Sequence, residues 1–413
     1  MTHESVPGLG VDLSLELESS NRAINRLPMS PSNPPLPGTE NLVQATATKR
    51  NFPSIPPELI DEIIDYLWDD KDALFDCSFV CRLFYLRTRV HLFHSIELNR
   101  RFIFEPDLQN ILPYIKKITI RLNSNIPGLT PFLSSLPNLT ALHLDRLKFP
   151  DPWSLHHLVC QLRGLTSLDL SDVRWINRDA PVEPTTTRNL DAPFPRINNI
   201  SIYETSFHAS VVELLIHRRE LQAIYVDSLN ELCIKWPPGE YLSSICAFVR
   251  AASRTLKSLD IRIRRVKSSI NVISSWPAQP DLLPLTMPTL QIEMECRRHG
   301  WQTCAMTWLV DSLRNGANGP IMVETLTLVV VPPGLYDGME VRLEDWEMQF
   351  SMLDEILTSP VMKVFQQLKV TLKPHVDCLP SWEAPRFIQW IHEILARVDK
   401  RNMLVVDVVE DTS

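Results

Sequence analysis

LPNLTALHLDRL (residues 136–147) and LRGLTSLDLSDV (residues 162–173) can be laid one on the other. Leu139, Leu142 and Leu144 of the first fall on Leu165, Leu168 and Leu170 of the second, an L-x-x-L-x-L frame. The closing x-L-x-L has the period of two expected of a short strand with alternate side chains turned inward. The same frame recurs at Ile115/Ile118/Ile120, Ile197/Ile200/Ile202, Leu221/Ile224/Val226 and Leu256/Leu259/Ile261. Apolar runs near 290–295, 322–330, 367–372 and 403–409 continue the series of strands.

Helical patterns separate the strands. DPWSLHHLVCQL begins with Asp151 as N-cap and Pro152 at the first helical position, and amphipathic runs follow at 208–217, 241–252, 302–315, 345–357 and 385–398. Strand and helix alternating every 24 to 40 residues or so describe an irregular β/α solenoid, with a parallel sheet on one side and helices on the other. An ordinary open α/β sheet shares that alternation. The recurring frame favours the solenoid.

Upstream, the period changes. In IPPELIDEIIDYLWDDKDALFDCSFVCRLFYLRTRVHLF (residues 55–93), Leu59, Ile60, Ile63, Ile64 and Leu67 recur at helical spacing. Glu58, Asp61, Glu62 and Asp65 fall on the other side, where a solvated acidic face is expected. Trp68-Asp69-Asp70 interrupts the pattern and caps a second helix carrying Ala73, Leu74, Cys77 and Val80. A third helix carries Leu83, Phe84, Leu86, Val90, Leu92 and Phe93. Three short helices bury only a small core and need support from a neighbour. The chain thus divides into a Pro/Ser-rich tail at 1–51, a helical unit at 52–98 and a repeat domain at 99–413, α/β in class and α+β overall.

Composition narrows the function classes. The 413 residues are 44% apolar, enough for more than one core. A formal net charge of −8 and a pI near 5.8 argue against a protein that coats nucleic-acid phosphates. The N-terminus has neither a basic start nor a continuous apolar run, and no later apolar stretch approaches a membrane span, so an intracellular, soluble chain is expected. Eight scattered cysteines read as reduced, mostly buried thiols. Neither G-x-x-x-x-G-K nor G-x-S-x-G occurs, and His392-Glu393 lacks the second histidine of a zinc-peptidase helix. Cys296, His299 and Cys304 fall one ligand short of a structural zinc site. The expectation is a non-catalytic protein without cofactor or metal.

The strand frame also predicts which side chains leave the sheet on its open face: Thr119 and Arg121, His143 and Asp145, Asp169 and Ser171, Ser201 and Tyr203, Tyr225 and Asp227, Asp260 and Arg262. Tyr and Arg often dominate protein interfaces. Arg121, His143, Asp145, Asp169, Tyr203, Tyr225, Asp260 and Arg262 are the candidates for a partner-binding face, beside the alternative of an ordinary polar surface. The basic run Arg262 to Lys267 fits either an acidic or phosphorylated segment or a solvated strand edge.

The helical unit resembles an F-box. Ile55-Pro56-Pro57-Glu58-Leu59 stands where the family opens with Leu-Pro and an acidic, apolar first helix. Leu74 and Val80-Cys81-Arg82 follow at the family's positions, Phe84 replaces the usual Trp, and Leu92-Phe93 close the motif. The repeats resemble degenerate leucine-rich repeats, with Leu147 and Val173 in place of the family's Asn. The layout is that of a fungal-type F-box protein. The resemblance implies a substrate-receptor subunit of an SCF-type E3 ubiquitin ligase, working in the cytoplasm or nucleus. Its F-box would dock on a Skp-type adaptor, and so on a cullin-RING ligase, through Ile55, Pro56, Leu59, Ile60 and Ile63, with Leu74 and Val80 split between contact and core. Its repeats would capture a target protein. The competing expectations are a leucine-rich-repeat scaffold without a ligase link and, more distantly, a divergent hydrolase on an open α/β sheet.

Overall fold

The structure is a computed structural model, and it describes residues 55–98, 110–121, 129–176, 195–203, 228–235, 242–263, 283–295, 301–315, 321–331, 344–373 and 383–409. The chain divides between Phe93 and His94 into two compact units. The fold is mixed α/β, with a long parallel sheet in the second unit.

Among the described residues the first unit holds three helices, α1 (Pro57–Tyr66), α2 (Lys71–Cys77) and α3 (Arg82–Leu92). Pro57 opens α1, where an absent N–H costs nothing. Asp70 caps α2 by accepting from the Ala73 amide at 2.9 Å, as the interruption at 68–70 predicts. Ile60, Ile64 and Leu74 form the centre of a small core, with Leu67, Cys77, Phe84 and Leu92 packed against it. Asp65 leaves the expected solvated row: its carboxylate accepts from Arg87 Nε at 2.8 Å and lies 2.7 Å from His91 Nε2, tying α1 to α3. The Arg87 hydrogen bond holds the Asp65 carboxyl below its ordinary value.

The second unit opens with a strand that helical periodicity did not reveal. Residues 95–98, expected at the end of the helical unit, form β1 (Ser95–Leu98), which pairs in parallel with β2 (Lys117–Arg121). The sheet continues through β3 (Ala141–Asp145), β5 (Ser167–Ser171), β7 (Asn199–Tyr203), β8 (Glu231–Lys235), β9 (Ser258–Ile263), β10 (Thr289–Glu295), β11 (Thr325–Val331), β12 (Gln367–Leu372) and β13 (Leu404–Val408). Two-residue strands β4 (Lys148–Phe149) and β6 (Arg174–Trp175) pair beside it as a separate small sheet.

All eleven strands are parallel, and their order across the sheet follows their order in the chain. Each connection is therefore a crossover stepping the same way, and crossovers of the usual right hand fall on one face. Burial agrees: one row of side chains runs Ile118, Leu142, Leu168, Ile200, Leu232, Leu259, Leu290, Leu326 and Leu368, all nearly free of solvent, and a second runs from Ile120 to Val370 two residues along. Every Leu or Ile so buried contributes about 1.5–3 kcal/mol relative to exposure.

The helices that cover these rows are α4 (Leu129–Ser134), α5 (Pro152–Gln161), α6 (Leu242–Ala252), α7 (Trp301–Asn315), α8 (Glu344–Leu357), α9 (Glu383–Ile394) and α10 (Ala396–Lys400). Their buried residues, among them Leu158, Phe248, Trp308, Phe350 and Ile391, complete the core. Asp151 caps α5 as expected, accepting from the Ser154 amide at 2.9 Å. The run expected as one helix at 385–398 breaks at Leu395 into α9 and α10. Asp354 of α8 caps the second piece, accepting from the amides of Arg397 at 3.1 Å and Val398 at 2.9 Å.

The frame at Leu221/Ile224/Val226 and the helix expected at 208–217 lie outside the described residues. The strand that pairs with β7 is β8, whose frame Leu229/Leu232/Ile234 obeys the same rule and was not singled out. Among the described residues no helix is long and apolar enough to cross a membrane.

Candidate protein-interaction surfaces

In the first unit the apolar residues outnumber the core positions. Among the described residues, nine of the fourteen exposed large apolar side chains lie between Ile55 and Leu86. A cluster of this kind on so small a unit is a candidate interaction surface. Helix geometry explains it. Ile60, Ile64 and Leu67 pack inward, while Leu59 and Ile63, four residues apart, form a second stripe one step around the helix, and Ile55 just before the helix joins them, all three 48–55% exposed. Tyr66 at the end of the first helix and Trp68 just after it extend the exposed set, and Phe79, Val80, Leu83 and Leu86 add a second group from the turn before α3 and from α3 itself.

Of the positions expected to meet an adaptor, Ile55, Pro56, Leu59, Ile63 and Val80 are exposed. Ile60 is corrected and Leu74 falls to the core side of its two readings: at 7% and 0% exposure they pack together with Ile64 in the core of the three helices. Tyr66, Trp68, Phe79, Leu83 and Leu86 were missed as exposed apolar residues. Spacing alone gave Leu83 and Leu86 to a third helix, but not to its outer side.

Each candidate on the sheet's open face is placed by register. Arg121 stands opposite Asp145 and reaches it at 3.6 Å, with Glu97 of β1 at 3.4 Å on its other flank. His143 stands opposite Asp169, Nδ1 to Oδ2 at 2.8 Å. Tyr203 lies under the ammonium of Lys235 at 3.9 Å from its ring centroid. Asp260 accepts from Arg262 Nε at 2.9 Å and from the Cys233 thiol at 3.4 Å, and Arg262 also reaches Glu293 at 3.6 Å. Tyr225, Asp227 and the basic residues 264–267 lie outside the described residues, as do Cys296 and His299.

The face is therefore a set of cross-strand ion pairs. An anion approaching Arg262 must displace Asp260 and Glu293, which runs against the phosphate-binding reading of that residue. Asp169 and Asp260 each keep one carboxylate oxygen buried without a hydrogen-bond partner. Burial, then the nearby Asp260 charge, push the Cys233 thiol up to about 12, so it stays protonated and unreactive at neutral pH. The thiols are less uniformly buried than expected: Cys246 is buried, Cys77, Cys160 and Cys233 are half-buried, and Cys81 is exposed. Glu97, Cys233, Lys235 and Glu293 were missed as members of the face. The first three sit on the two strands that were overlooked.

Neither a scan against protein-family models nor a search of curated proteins gives a match for this chain.

Proposed function

We propose that the chain is a non-catalytic substrate-receptor subunit of an SCF-type ubiquitin ligase. Its three-helix unit is read as an F-box that docks on a Skp-type adaptor, and its sheet as a leucine-rich-repeat-like β/α solenoid that captures a target protein in the cytoplasm or nucleus. The observation that carries this reading is the surplus apolar stripe Ile55/Leu59/Ile63, which stands beside, and not within, the core of the unit. A helix that spends a second apolar stripe on solvent is suited to a groove on another protein. The order of the motif residues, from Ile55-Pro56 through Leu74 and Val80-Cys81-Arg82 to Leu92-Phe93, supports the adaptor as the occupant. The ion-paired face of the sheet supports recognition of a folded or extended protein surface through hydrogen bonds, with Tyr203 as an aromatic contact.

Co-expression with a Skp-type adaptor tests the reading. The unaltered chain is expected to co-purify with it, and Leu59→Asp or Ile63→Asp to abolish the complex by forcing a charge into a desolvated contact. Both variants keep native helicity, because both positions are exposed in the free chain. An unaltered, folded chain that does not bind the adaptor sinks the proposal.

A further inference from the structure

The buried rows of the sheet end abruptly. Leu368, Val370 and Leu372 on β12 are 0–3% exposed, whereas their partners Leu404, Val406 and Val408 on β13 are only half-buried, as are Val405 and Asp407 between them. β13 is the last strand of the order, and among the described residues nothing pairs with its outer side. The direction of its backbone follows from the bonds it makes: the Met403 carbonyl accepts from Leu368, and the Val409 amide donates to Leu372. Odd-numbered residues thus serve β12, and Leu404, Val406 and Val408 aim their N–H and C=O groups away from the sheet.

Natural sheets blunt such edges with Lys, Pro, a bulge or inward-pointing charge. β13, LVVDV, has none of these: its one charge, Asp407, sits on the open face and is held by Lys369 at 2.8 Å. An apolar, unprotected edge of this kind calls for a strand to cover it.

We propose that β13 pairs antiparallel with β13 of a second copy of this chain, about a two-fold axis through Val406. The register is self-complementary. Val406 meets Val406 of the other copy, and Leu404 meets Val408, so every outward N–H of Leu404, Val406 and Val408 finds a carbonyl. Leu404, Val406 and Val408 of the two copies lie side by side and extend the buried rows across the axis. On the open face each Asp407 stands opposite Val405, so no like charges face each other and the bond to Lys369 is kept. Pairing β13 with the opposite edge, β1, would also continue the sheet, but it repeats without closing, whereas the two-fold arrangement is complete at two copies.

The test is the mass of the full chain in solution across a concentration series. A species of twice 47.4 kDa is expected. Val406→Pro removes an outward N–H that β12 does not use and should give a monomer with an unchanged circular dichroism spectrum. Register is read independently by oxidation: Val406→Cys puts two thiols on the axis with Cα atoms about 5.5 Å apart, within disulfide reach, whereas Leu404→Cys thiols are offset and should not cross-link. The unaltered chain under the same oxidation gives the background from its own cysteines. A monomer at every concentration overturns the proposal, as does a series of growing polymers, which would report head-to-tail pairing. Equal cross-linking of the two cysteine variants overturns the register.

Discussion

Replacing Asp354 with alanine probes how α10, and behind it β13, is held. Asp354 is 5% exposed and accepts from two backbone amides at the start of α10, with Oδ1 at 3.1 Å from the Arg397 nitrogen and 2.9 Å from that of Val398. Alanine leaves both donors without their acceptor, and a buried donor so orphaned costs about 1–3 kcal/mol. With some relief from water at the helix end, the loss is about 2–4 kcal/mol, or a rise in local opening of roughly thirtyfold to several hundredfold. Asp354→Asn retains an acceptor oxygen and gives up only the charge, about 1 kcal/mol. Hydrogen exchange of the full chain reads this residue by residue. The amides of Arg397 and Val398 should lose protection first, followed by those of β13, while β2 and β3 keep theirs. Protection at 397 and 398 that is unchanged in Asp354→Ala refutes the cap. An equal loss in the alanine and asparagine variants refutes the assignment of the effect to the two hydrogen bonds.

Leu74→Ala, in a helical unit with a three-residue centre, should cost about 2–5 kcal/mol and open residues 55–93 to limited proteolysis while the sheet stays resistant. Acid should weaken the same unit: Asp65, its carboxyl held down mainly by the Arg87 hydrogen bond, contributes stability that is full above the unfolded carboxyl value near 4 and is lost as pH falls through its lowered folded value. Arg87→Met should remove that part of the pH dependence, read as helix circular dichroism between neutral and acidic pH. Alkylation at mildly alkaline pH, followed by peptide mass mapping, should label exposed Cys81 quickly and Cys233 hardly at all, and rapid labelling of Cys233 in the folded chain contradicts its placement against Asp260.

Most strands were legible from the spacing frame of large aliphatic residues, and the register could be read by laying one frame on the next: His143 falls opposite Asp169 and Arg121 opposite Asp145 in that alignment. β8 was overlooked because a nearby frame at 221–226 competed for the same place in the series. β1 was overlooked because four residues, Ser-Ile-Glu-Leu, offer a period of two too briefly to stand out against the helix before them. In the helical unit, spacing showed that apolar residues were in surplus, but not which would be the surplus ones. Ile60 and Ile63 differ only in rotation about the helix axis, and that rotation is set by where α2 and α3 pack. Asp65 escaped for a related reason. Its partners Arg87 and His91 lie far along the chain on another helix, and a single acidic row carries no mark of which member will be bridged.

The even alignment of the eleven strands has a geometric consequence. Ser95 pairs with Lys117 across a short connection and Thr325 with Gln367 across one nearly twice as long, yet neither pairing is offset along the strand. Closing a sheet into a barrel requires a cumulative stagger between strands, and a ladder with no stagger has zero shear. Lengthening such a sheet by further repeats moves its last strand outward without ever bringing it round to the first. Among the described residues β1 and β13 are accordingly the two edges of the sheet, and adding strands in the same alignment would relocate an edge without removing it.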